Sequence, residues 1–137
     1  MNRFALVLLV CGLAATSVQA QTRTYECTIR GTKERSWIQP LIFFAYDTKE
    51  GRVIVSDPAI LGFNDGQPVE GTLVADNARR ITVKWSLDMI SASQQRVTMD
   101  YRATYVKGTQ AVNVIDQPRH FSGNFNAGGT CKAGQLP

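Results

Sequence analysis

From residue 24 onward, apolar and polar side chains alternate with a period of two. Ile81, Val83, Trp85 and Leu87 share one face, while Thr82, Lys84, Ser86 and Asp88 share the other. Val97, Met99, Tyr101, Ala103 and Tyr105 likewise oppose Thr98, Asp100, Arg102 and Thr104. Tyr25, Cys27 and Ile29 alternate with Thr24, Glu26 and Thr28, and Val69, Gly71, Leu73 and Ala75 with Glu70, Thr72 and Val74. Alternation of this kind marks half-buried antiparallel strands. No helix-length segment keeps a 3.6-residue apolar period. Turn-forming residues divide the runs: Thr48-Lys49-Glu50-Gly51, Asn64-Asp65-Gly66, Asp76-Asn77-Ala78, Lys107-Gly108 and Asp116-Gln117-Pro118. The Lys107-Gly108 pair predicts a two-residue hairpin with Gly108 at positive φ. Strands are expected near 24–30, 41–47, 52–56, 69–75, 79–88, 96–106, 109–116 and 119–131, the last interrupted at Gly128-Gly129.

Charges suggest a register. Setting Glu70 opposite Lys84, and Lys84 opposite Asp100, lays a charge-complementary row across three strands. It also sets Asp88 opposite Arg96, Leu73 opposite Ile81, Val69 opposite Trp85, and Trp85 opposite Met99. A slip of one residue would drive Lys84 and Asp100 into the core. Strands joined mainly by short turns make a meander, whose two edges would invite aggregation if left open. Closing the first strand on the last gives an all-β, up-and-down, lipocalin-like barrel of about eight strands; a two-sheet β-sandwich is the alternative.

Cysteine placement supports closure. Cys27 and Cys131 fall on the first and last strands, 104 residues apart. A disulfide there would constrain a loop for which chain entropy assigns about 4.7 kcal/mol. A metal site would need more ligands than two cysteines and His120 supply. The third cysteine, Cys11, lies in a segment with the anatomy of a secretory signal. Asn2-Arg3 opens it, an apolar run follows over residues 4–15, and Val18-Gln19-Ala20 ends it. Cleavage is expected between Ala20 and Gln21, leaving residues 21–137 as one disulfide-closed domain. The apolar run is shorter than the roughly 20 residues that span a bilayer. Val10 is not the small residue that lipid attachment at Cys11 requires. An exported protein, periplasmic or extracellular, without stable membrane insertion of the mature chain, is the expectation. The 15 Lys+Arg and 11 Asp+Glu alternate in sign along the chain, so no basic block tracks a phosphate backbone and no nucleic-acid partner is expected.

Catalytic inventories come up short. His120 is the only histidine and is expected to be exposed at a strand start; no serine sits in a Gly-x-Ser-x-Gly elbow. Asp57, Asp65 and Glu70 surround the longest central loop, but Asp57-Pro58 and Asn64-Asp65-Gly66 are ordinary turn chemistry. Phe63-Asn64-Asp65-Gly66 lacks calcium-loop spacing, and Gly128-Gly129 suits a bulge better than a phosphate cradle. No catalytic residue, metal or cofactor is assigned.

Aromatic residues carry the remaining lead. Phe44, Trp85, Met99, Tyr101 and Tyr105 are expected to point inward. They fill the barrel or line a cavity for one small apolar ligand. Trp37, in a polar segment, caps a barrel end or anchors a partner. Ile60, Leu61 and Phe63 place apolar side chains on the loop over residues 57–68, as a lid or as a contact surface.

The layout resembles the lipocalin-like barrels, a resemblance that implies an internal site for small apolar ligands. Their Gly-x-Trp signature has no counterpart at Ser36-Trp37. Tyr25-Glu26-Cys27 is similar to the Tyr-x-Cys of small periplasmic lysozyme inhibitors, whereas Ser91-Ala92-Ser93 lacks the glycine of their Ser-Gly motif. No functional residue is carried over from either. The expected function is non-enzymatic binding of a small apolar ligand or a protein partner; the alternative is a periplasmic inhibitor-type module acting on a hydrolase.

Overall fold

Eight antiparallel strands, each bonded to its neighbour in chain order, close on themselves as an up-and-down barrel in a computed structural model that describes residues 21–32 and 36–136. The strands are β1 (Thr22–Ile29), β2 (Leu41–Asp47), β3 (Arg52–Ser56), β4 (Val69–Asp76), β5 (Arg80–Ile90), β6 (Arg96–Val106), β7 (Ala111–Pro118) and β8 (Phe125–Leu136). One short helix, α1 (Pro58–Phe63), joins β3 to β4. The signal expected over residues 1–20 lies outside the described residues. Among those described, no helix is long and apolar enough to cross a membrane.

Alternation builds the core. Inward positions such as Phe44, Val53, Val55, Ile81, Val83, Met99 and Val114 are fully buried. Each contributes about 1.5–3 kcal/mol through removal of apolar surface from water. The seam between β1 and β8 is closed by the Cys27–Cys131 disulfide, with Cα atoms 3.9 Å apart. The strands approach closely beside it. A Cβ on Gly129 would lie 2.0 Å from the Thr28 carbonyl oxygen, so only glycine fits there. That close approach, rather than a bulge or a break, explains Gly129, whereas a Cβ on Gly128 would make only an ordinary contact at 3.8 Å; β8 runs through both without interruption.

The charge-based register is two residues out. Lys84 faces Thr72 and Arg102, and Trp85 faces Tyr101 rather than Met99. A shift of two keeps every side chain on its face, so burial does not oppose it. The acidic groups find diagonal or hydroxyl partners instead. Arg119 and Ser86 hold Asp100, Thr98 donates to Asp88, and Arg52 pairs with Glu70 on the outer wall.

Four local expectations also give way. The β6–β7 turn spans residues 107–110, and Gln110, not Gly108, takes the positive φ of 60°. His120 sits exposed in the β7–β8 turn with φ 68°, and β8 starts only at Phe125. Residues 58–63 form a helix because Asp57 caps it, accepting the Ile60 N–H at 2.7 Å, and Pro58 presets its first turn. In β4 the register shifts between Leu73 and Ala75. This bulge shifts the pairing by one residue and sets Asp76, rather than Ala75, opposite the inward Ile81.

Candidate functional site

An up-and-down barrel has two kinds of end. One carries the β1–β2, β3–β4, β5–β6 and β7–β8 connections and is termed the loop end. The other carries the three tight turns and is termed the turn end. The exposed large apolar side chains gather toward the loop end: Leu41, Phe43, Leu61, Phe63, Ile90, Phe121 and Phe125. Only Val74, Val106 and Leu136 lie exposed toward the turn end.

A groove of about 580 Å³ opens at the loop end. Trp37 and Gln39 of the β1–β2 connection form one side, Ala59 and Phe63 of α1 another, and Met89 and Ile90 at the end of β5 the third. The cap at Asp57 and the buried Ile60 fix α1 against the barrel, so the groove has a rigid wall. Tyr101 fixes the opposite wall by donating its hydroxyl to the Trp37 carbonyl at 2.9 Å. Two of the expected partner residues, Trp37 and Phe63, therefore meet in one groove. Leu61 lies exposed on the same helix but outside the groove lining.

The five expected ligand residues all point inward, in two separate clusters rather than around one chamber. Phe44 and Tyr105 pack on Tyr25, with ring centroids 4.7 and 5.0 Å from it. Trp85 stacks on Tyr101 at 5.1 Å. Met99 is fully buried in the same core. The larger concavities formed by the described residues open outward.

The carboxylates near the long loop do not converge. Asp57 is buried as the helix cap, Asp65 is exposed in a turn, and Glu70 lies outside in its ion pair with Arg52. Among the described residues no three His, Cys, Asp or Glu side chains gather as metal ligands.

Three polar features were not anticipated. Asp116, on β7, is completely buried; its Oδ1 accepts the Phe125 N–H at 3.2 Å and its Oδ2 has no partner. Burial pushes its pKa up to about 6, with the Phe125 N–H opposing. Burial likewise raises Asp57, against the N–H groups of Ile60 and Ala59. Gln39 is 3% exposed, and its Oε1 is unpartnered at the groove. At the turn end, the bulge turns Asp76 toward Tyr46, which donates at 2.8 Å, and Lys107, which pairs at 2.8 Å; Arg23 donates to the Tyr46 hydroxyl at 3.3 Å. Burial pulls Asp76 upward, but Lys107, Tyr46 and Arg23 together hold it below its ordinary range. The alternation Val112, Val114, Asp116 was the available signal for the buried carboxylate. Its place in an Asp-Gln-Pro turn motif hid that signal.

No protein family, curated protein or solved structure matches the chain, so function is argued from its own geometry.

Proposed function

We propose that this chain is an exported, non-enzymatic binding protein that engages a protein partner through the loop end of its barrel. One observation carries the reading. The exposed aromatic and aliphatic side chains concentrate at the loop end, where Phe63 and Ile90 join Trp37 in a preformed groove, while the inward aromatics pack on one another. Concave apolar surface with a tryptophan at its rim is the usual make-up of a binding hot spot. The disulfide supports export, because such bonds persist in oxidising compartments. The leader-like residues 1–20 support it too.

Site-specific photo-crosslinking in the native host tests this. A photoreactive residue in place of Phe63 should give one discrete adduct with an exported protein, and Trp37→Ala should abolish it. The same residue in place of Val106, near the turn end, should give none. Adducts from Val106 alone, or from both positions alike, would remove the loop end as the binding surface. A small molecule carried in stoichiometric amount by the purified protein, seen in native mass spectrometry, would return the reading to an internal ligand.

A further inference from the structure

The groove is mostly apolar, but the side formed by the β1–β2 connection carries a polar group short of a hydrogen-bond donor. Gln39 Nε2 donates to the Ser36 carbonyl at 2.7 Å, which fixes the amide and leaves Oε1 buried without a donor. A buried acceptor left without a donor is costly, so an occupant that brings an N–H gains from meeting it. Two buried carboxylates stand beside the groove's supports: Asp57 caps α1, and Asp116 lies opposite Tyr101 in the β6–β7 register. The Tyr101 hydroxyl that holds the Trp37 carbonyl is within electrostatic reach of both Asp116 and Asp57. Those carboxylates are 0% and 7% exposed. Neither has a cationic partner among the described residues. The described groove lining contains no lysine, arginine, aspartate or glutamate of its own. Unpaired buried carboxylates favour a cation brought near them and disfavour an anion.

Resting on the loop end as a protein-binding surface, we propose that the groove receives a basic side chain of the partner, arginine before lysine. Its methylene stem lies along Ala59, Phe63 and Met89, its planar head stacks on Trp37, and its N–H groups reach Gln39 Oε1. Arginine suits this because its stem buries readily, its guanidinium stacks on aromatic faces, and it offers several donors in a fixed plane. A purely apolar anchor would leave the amide oxygen unmet. An acidic one would be disfavoured by Asp57 and Asp116.

Blocked pentapeptides Ac-Ala-Ala-X-Ala-Ala-amide, with X as arginine, citrulline or norleucine, test the idea by NMR titration of the oxidised chain. Citrulline keeps the shape and donors of arginine but not its charge. The arginine peptide should shift the Trp37 indole and Gln39 amide signals and bind at least about tenfold tighter than the citrulline peptide. Norleucine should be weaker than both. Gln39→Leu should weaken the arginine and citrulline peptides alike and spare norleucine. Asp116→Asn should narrow the arginine-over-citrulline preference. Norleucine binding as well as arginine at the same signals would overturn the basic anchor while leaving an apolar docking surface in place. Equal arginine and citrulline binding, or no peptide moving those signals at millimolar concentration, would overturn it outright. Crosslinking from Phe63 judges the docking surface separately.

Discussion

Replacing Asp116 with asparagine should change how stability depends on pH, and in a direction set by the burial of this one carboxyl group. Asp116 is completely buried, with one hydrogen bond and one oxygen left over. Its pKa rises from 3.8 to about 6. The native chain therefore binds a proton more tightly than the unfolded chain. The stabilisation is fully present below about pH 4, the unfolded value, and is lost as pH climbs through about 6. A shift of about two units corresponds to about 3 kcal/mol. Asparagine removes this titration. Its amide puts an unmet N–H donor in place of the orphaned oxygen, at a cost of about 1–3 kcal/mol that does not vary with pH. The informative quantity is thus the slope, not the absolute difference. Urea unfolding of wild type and Asp116→Asn, followed by tryptophan fluorescence at intervals from pH 4 to pH 8, should show the variant gaining about 3 kcal/mol relative to wild type across the range. Asp57, Asp76 and Asp100 titrate in both proteins and cancel in the difference. A difference that stays flat, or that falls as pH rises, would refute the assignment of Asp116 as a buried group held against ionisation.

Three further outcomes follow from the packing and charges. Cys27→Ser, compared with the oxidised wild type by thermal unfolding, should lower stability by up to about 4.7 kcal/mol, and an unchanged melting temperature would count against the closing role of the bond. Gly129→Ala forces a Cβ to within 2.0 Å of the Thr28 carbonyl oxygen, so it should cost about 1–3 kcal/mol in denaturant unfolding; a neutral result would mean the seam relaxes freely. Asp76→Asn should destabilise at pH 7, where the carboxylate is held below its usual range by Lys107, Tyr46 and Arg23. Because a lowered native pKa adds stability only above the unfolded value, that penalty should shrink as pH falls toward 3, and a penalty equal at both ends would exclude the charge network as its cause.

The strand order and the closed barrel were legible because alternation, turn chemistry and the two cysteines each point to the same closure. Register was not, because a two-residue slip leaves Trp85, Met99 and Tyr101 on the inner face and changes only their partners. The six residues of α1 are too few to display a helical period, and Asp57-Pro58 reads equally as a turn or as a cap followed by the first helical residue. The bulge after Leu73 leaves no compositional mark, so the network joining Asp76 to Tyr46 and Lys107 emerges only from the three-dimensional arrangement. The inward aromatics were visible individually. That they split into one cluster around Tyr25 and another at Trp85 and Tyr101 depends on three-dimensional distances. Trp37 and Phe63 were separate leads in sequence, and meet only because the β1–β2 connection and α1 overhang the same rim.

The β1–β8 seam also determines how this molecule would fail. Seven of its eight sheet contacts join strands adjacent in sequence and can zip up locally, whereas the eighth must bring together the two ends of the chain. Without the sulfur bond, the glycine-rich final strand buries only Gly129 and Cys131 along its twelve residues, and as the terminal strand it is the first to peel away. It leaves β1 of its own barrel bare and carries a free edge of its own. A second molecule in the same state offers the matching vacancy, so the reduced protein is prone to strand exchange, head to tail, into open-ended polymers. The bridge is a lock on identity as much as a source of stability: it keeps the last strand at home.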